Sequence, residues 1–258
     1  MRIDWIVEWS DCEAVSRFVN DQRNKNFVLD RIRHNVDGLV PKFTRERFWK
    51  ALVMCLLTTQ QRSGPQSPVS RFLSADPFPL DLSACMDNRG EAAVLDRFRG
   101  AGGIRRIPTI ARQLTANLQF LVEGGWDMFD QLGESLTEQR SREPLVSDVK
   151  TERAAAAALN NSDLRGIGPK QSRNLWQDLG LTRYEISLDS RITKWLRKAH
   201  FPVAVSATAL ADSGYYDFVM DGIQVLCGRA AVLPCVLDAA VFASYDSEWD
   251  ERTLAAMR

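Results

Sequence analysis

Residues 164–181 read LRGIGPKQSRNLWQDLGL. Gly166 and Gly168 flank Ile167, and Pro169 and Lys170 follow at the head of an amphipathic run. Glycine permits a tight turn and lets the backbone approach another surface with no Cβ in the way. Proline is tolerated in a first helical turn, where its missing N–H would be unpaired anyway. Such a turn, opening into a helix, offers a row of N–H groups to an anion, and a phosphate diester fits it. Lys170 adds a primary amine at the same place, a nucleophile when neutral. Within ISLDSRITKWL, Asp189 supplies a carboxylate at the expected start of another helix. These residue types leave two readings open. A plain helical hairpin also carries a Gly-Ile-Gly turn, a solvated lysine also binds phosphate, and aspartate is a common helix cap.

Charge is concentrated around this motif. The chain has 33 basic and 33 acidic side chains and a formal net charge of zero. Yet Arg165, Lys170, Arg173, Arg183, Arg191, Lys194, Arg197 and Lys198 crowd residues 165–198, against Asp178, Glu185 and Asp189 alone. Residues 212–251 are acidic, with Arg229 their single base. Distribution rather than sum decides whether a polyanion is attracted.

The elements that must position these groups read as helices. TRERFWKALVMCLLTTQQ, residues 44–61, opens on Thr44 as a cap and carries Phe48, Leu52, Cys55 and Leu56 on one stripe. Residues 12–34, EAAVLDRF, PTIARQLTANLQFLVEGG, WDMFDQLGESL and the alanine-rich VKTERAAAAAL have helical spacing or propensity. DPFPLDL and SREPLVSD read as loops. MDGIQVLCGRAAVLPCVLDAAVFASYDSEW reads as two helices broken at Pro234. Alternating strand patterns are absent, so the expected class is all-α. Trp176 and Trp195 lie at helical spacing and are expected in the core.

Composition excludes several classes. No apolar run approaches the roughly 18 residues of a membrane span. The acidic start, with Asp4, Glu8 and Asp11, does not read as a signal peptide, which is expected to open on basic residues and an apolar stretch. Cys12, Cys55, Cys85, Cys227 and Cys235 form no C-x-x-C pair, and His34 and His200 are far apart. Neither a structural zinc site nor an iron–sulfur cluster is expected. The cysteines read as small buried hydrophobes in a reducing cytoplasm.

LRGIGPKQS and SLDSRITKWL together resemble the hairpin and the aspartate segment of the helix-hairpin-helix DNA glycosylase superfamily, which includes endonuclease III and the 8-oxoguanine glycosylases. LVMCLLTTQQ is similar to the family's Leu-Leu-Ser-x-Gln stretch. FRGAGGIRRIPTIARQL is similar to its Gly-x-x-x-x-Lys-Ala helix start, with Ile110-Ala111 in place of lysine-alanine. The likeness spans roughly residues 44–200. It departs from the endonuclease III branch in lacking that branch's C-terminal cysteines, and it carries Arg191 where many relatives have histidine.

The resemblance implies an all-α fold of two helical lobes with the active cleft between them. Residues 44–185 would form one lobe, ending in the hairpin, and residues 1–43 with 186–258 the other. It implies a bifunctional enzyme acting as a monomer on double-stranded DNA that contains an altered base. The base must leave the stack because C1′ is unreachable in a duplex. Lys170 would attack C1′ and form a Schiff base, and Asp189 would stabilise the developing oxocarbenium charge. Gly166, Gly168, Gln171 and Arg191 would contact DNA, with Gln60 and Gln61 at the gap left by the flipped nucleotide or as a plain polar helix end. Asn174, Phe242, Tyr245 and Trp249 are the candidates for the base pocket. The carbonyls of Ser162, Leu164 and Ile167 would hold K⁺ or Na⁺, and no other cofactor is expected. Oxidised guanine is the first choice of substrate. An oxidised or enzymatically modified pyrimidine is the alternative, favoured by the polar Asn174, and a non-catalytic DNA-binding protein is the competing class.

Overall fold

A computed structural model describes residues 4–246 and 249–257, and among them it is helical with no strand. The helices are α1 (Trp9–Gln22), α2 (Asn26–Ile32), α3 (Arg45–Leu57), α4 (Pro68–Leu73), α5 (Leu82–Asp87), α6 (Glu91–Arg97) and α7 (Ile107–Phe120), then α8 (Trp126–Arg140), α9 (Asp148–Asn160), α10 (Pro169–Asp178), α11 (Ser190–Lys198), α12 (Ser213–Arg229), α13 (Pro234–Tyr245) and α14 (Glu251–Met257). The single helix expected over 12–34 is two, separated at residues 23–25, and α5 falls in a stretch with no helical expectation. Among the described residues no single helix is long and apolar enough to cross a membrane, and the apolar pair α12–α13 is bent by 97°.

Two hydrophobic clusters fill the interior. The first surrounds α3, in which every residue from Phe48 to Leu57 except Lys50 is buried. A helix apolar on all sides must be wrapped by others. Leu73, Leu80, Ile110, Leu114, Phe129, Leu159 and Trp176 wrap this one. The Thr44 hydroxyl caps it, accepting from the Arg47 N–H at 3.3 Å. The second cluster joins Val15, Val19 and Val28 to Ile186, Leu188, Ile192, Tyr216, Ile223 and much of α13. Trp176 is fully buried and donates its indole N–H to the Ala155 carbonyl, while Trp195 is half-buried against Phe18. All five cysteines are unpaired and buried.

The chain passes from one cluster to the other at residues 182–185. Buried backbone needs partners, and here side chains supply them. The Glu152 carboxylate accepts from the N–H groups of Arg183, Tyr184 and Glu185 at 2.8, 2.7 and 2.9 Å. The Arg183 guanidinium donates to the carbonyls of Asn35, Arg140 and Arg142. Asn35, fully buried, donates to the carbonyls of Gln177 and Thr182.

Candidate active site

The turn between α9 and α10 is fixed from beneath. Asn117 of α7 is fully buried, accepts from the Arg165 N–H at 2.6 Å and donates to the Arg165 carbonyl at 3.1 Å. Leu164 and Ile167 are buried in the first cluster, and the Ser162 hydroxyl donates to the Leu159 carbonyl. The two glycines differ. Gly166 has φ of +81°, and a Cβ there would lie 2.6 Å from Leu56 Cδ2 and 2.8 Å from Gln113 Nε2. Gly168 has φ of −122°, which any residue adopts, and a Cβ there would meet open space. Packing within the chain therefore explains glycine at 166 and not at 168.

Pro169 is the first residue of α10 and Lys170 the second. Lys170 is half-buried and lies within electrostatic reach of Cys55 and Asp238. Gln171, expected at the DNA surface, is instead 6% exposed. Its amide donates to the Cys55 carbonyl at 2.7 Å and to the Thr59 hydroxyl, so it seals the end of α3 against α10. Asn174, half-buried, donates to the Cys55 sulfur at 3.4 Å. Burial pushes the Cys55 thiol up to about 12, so it is an uncharged wall of this corner.

Asp189 is the cap of α11. Its Oδ1 accepts from the N–H groups of Arg191 and Ile192 at 2.7 and 3.0 Å, and its Oδ2 pairs with the Arg191 guanidinium at 3.0 Å. That guanidinium lies 4.3 Å over the Phe242 ring. Phe242 in turn stacks on Phe27 with centroids 4.2 Å apart. Its ring is thus engaged from within the chain. Trp249 is 4% exposed and packed beside Phe27 and Phe242, so burial removes it from the candidates for stacking on a base. Tyr245, 43% exposed, keeps a free surface, with Lys198 as its cationic neighbour.

Asp238 of α13 belongs to this corner, though its sequence context did not single it out. Its side chain is 13% exposed. Burial pushes the carboxyl up to about 6. Arg31 pulls it down, Asp189 pushes it up, and the Gln177 hydrogen bond and Lys170 pull it down. Gln177 donates to it at 3.1 Å and Arg31 lies 3.9 Å away. The Lys170 amine and the Asp189 carboxylate therefore both bear on a largely buried Asp238. A buried carboxyl raised in this way, with charged neighbours, is a feature common at functional sites. The available signal was a lone acid in the apolar run PCVLDAAVFA.

Gln60 and Gln61 lie beyond α3, which ends at Leu57 rather than at residue 61. Gln60 is exposed with φ of 59°, a left-handed backbone that non-glycine residues adopt at a cost. The Gln61 amide is used internally, accepting from the Arg105 N–H at 2.8 Å and donating to the Leu57 carbonyl. Of this pair, Gln60 alone projects outward.

No family profile and no curated protein matches this chain. The fold is similar to the crystal structure of the 8-oxoguanine DNA glycosylase of Methanocaldococcus jannaschii. The TM-score is 0.59 at 14% identity, over 90% of this chain and 94% of that one.

Proposed function

We propose that this protein is a DNA N-glycosylase with lyase activity at the resulting abasic site. The observation that carries the reading is the placement of Lys170 in the first turn of α10 and of Asp189 at the cap of α11, each within electrostatic reach of Asp238, beside a turn where Gly168 leaves open space. The fold's likeness to an 8-oxoguanine glycosylase supports it. The two hydrophobic clusters support reading residues 44–185 as one lobe and 1–43 with 186–258 as the other, with the cleft at their junction.

In this reading the neutral Lys170 amine attacks C1′ of the flipped nucleotide. The glycosidic bond breaks and the base leaves with the electron pair. The proton lost by the amine balances the one the base takes up, and Asp189 offsets the positive charge at the sugar. The sugar ring then opens: the C1′–O4′ bond breaks, O4′ takes the remaining amine proton, and C1′ becomes an imine, so that loss of a C2′ proton expels the 3′ phosphate by β-elimination, breaking the C3′–O bond. The hairpin amides with Arg191 and Gln60 contact the DNA, and the carbonyls of Ser162, Leu164 and Ile167 would hold a monovalent cation. The protein acts as a monomer.

Oxidised guanine is the first choice of base. An ionised carboxylate only accepts hydrogen bonds, so Asp238 suits a base edge rich in donors, as guanine has. Asn174 favours the alternative, an oxidised or modified pyrimidine, because an amide both donates and accepts. A panel of duplexes separates them, each carrying one altered base: 8-oxoguanine, thymine glycol, uracil or hydroxymethylcytosine. Release of 8-oxoguanine at least about tenfold faster than the others is expected. Cleavage confined to a pyrimidine would transfer the assignment.

Borohydride reduction in the presence of the cleaved duplex should trap a covalent protein–DNA adduct, and Lys170→Gln should abolish it while DNA is still bound. An adduct that survives this change would place the nucleophile elsewhere. The competing reading, a DNA-binding protein without chemistry, is favoured by the complete use of Asp189 as a cap and ion-pair partner. It wins if no base is released from any duplex while binding persists and weakens with salt.

A further inference from the structure

Tyr216 of α12 is fully buried, and its hydroxyl is engaged both as acceptor and as donor. It accepts from the Leu188 N–H at 2.6 Å and donates to the Ile186 carbonyl at 3.0 Å. Both partners lie in the three residues before Asp189, where the Asp189 N–H also closes a tight turn onto the Ser187 carbonyl at 2.9 Å. The phenol is therefore a clip on the backbone that delivers the Asp189 carboxylate.

The other face of this arrangement leads to Lys170. The Arg173 guanidinium lies 4.3 Å over the Tyr216 ring. Arg173 is 3% exposed and fully committed. Its Nη1 donates to the Pro169 carbonyl at 2.9 Å, its Nε to Glu185 at 2.6 Å, and its Nη2 to Asp217. Pro169 immediately precedes Lys170, and Glu185 is on the crossover between the clusters. One cation thus touches the start of the lysine helix, the crossover and the ring that clips the aspartate segment. A planar fork has the geometry for such simultaneous contacts, and a lysine does not.

We propose that Tyr216, seated under Arg173, is a positioning residue that sets the separation of the Lys170 amine and the Asp189 carboxylate. It acts on base release through Asp189 and not through DNA binding. This rests on the glycosylase reading above. Reacting groups lose rate steeply with displacements near an ångström, whereas affinity for DNA depends on phosphate contacts that neither residue makes.

The test is a double-mutant cycle on single-turnover base release, using the duplex that wild-type protein cleaves best. Tyr216→Phe keeps the ring under Arg173 and removes both hydrogen bonds. It is expected to slow release at least about tenfold, with DNA affinity changed by less than about twofold. In an Asp189→Asn background the same change is expected to alter the residual rate by less than about threefold, because the group it positions is already gone. Equal slowing in both backgrounds would make Tyr216 a general structural residue and overturn the inference. So would wild-type speed in Tyr216→Phe. If that variant does not unfold cooperatively, Arg173→Lys, which keeps the charge and loses the fork, is judged by the same criteria. Absence of Lys170-dependent release by wild-type protein would overturn the enzyme reading and this inference together, an outcome the wild-type arm identifies by itself.

Discussion

Asp238 costs the fold stability at the pH where it would be useful. Its ordinary carboxyl value is 3.8 and the folded chain raises it to about 6. Between those values the folded chain binds more protons than the unfolded one. Stability therefore falls as pH rises through the window, and the penalty is complete above it. Asp238→Asn keeps an oxygen for Gln177 and removes the charge. It is expected to stabilise the protein at pH 8 by about 1–2 kcal/mol, less than the whole shift implies because the largely buried Arg31 loses its partner, and to add little at pH 4. On the proposed glycosylase reading, base release should also slow. Urea unfolding at both pH values measures the effect, and an equal gain at both would show that the buried charge is not its cause. At this scale the sequence is legible where a residue sits in a local pattern. Lys170 stands at the helix start and Asp189 at the cap, as their surroundings indicated. Asp238 and Gln171 were not, because the periodicity of a helix does not say what its neighbour will be. An amide beside a catalytic candidate can point inward to close a helix end as readily as outward to DNA.

Glu152 shows the same limit for whole elements. The alanine-rich sequence marks α9 as a helix without revealing that its buried Glu152 accepts three backbone N–H groups from the crossover. Glu152→Ala leaves those donors in a dry interior, where each unsatisfied group costs about 1–3 kcal/mol. A loss of at least about 3 kcal/mol is expected by chemical denaturation. A loss under about 1 kcal/mol would mean that water reaches the crossover. Helix ends were the weaker reading for a related reason. The polar stretch after Leu57 continues a helical pattern, but the chain must turn at Thr58 to Gln60 to meet Arg105 and Arg106. The Thr44 cap was legible because its hydroxyl acts on a residue three positions away.

At the scale of the molecule, the all-helical class followed from missing strand alternation and from helical spacing along most of the chain. The division of the interior into two clusters followed less directly. Ile186 and Leu181 are equally apolar, and only packing assigns them to different cores. The crossover between those cores has a dynamic consequence. Arg183 is held by three carbonyls and the following amides by Glu152, so the junction is bolted rather than hinged. On the proposed glycosylase reading, a protein built this way would meet the duplex as a nearly rigid body, and the deformation needed to expose a base would fall on the nucleic acid. The stiffness of the steps flanking the altered base then becomes part of selection. The same base should be released faster between pyrimidine–purine steps, which kink readily, than within an A-tract. Single-turnover rates on the two duplexes read this directly. Equal rates would show that the protein moves instead, and that the bolts at residues 183–185 open when DNA binds.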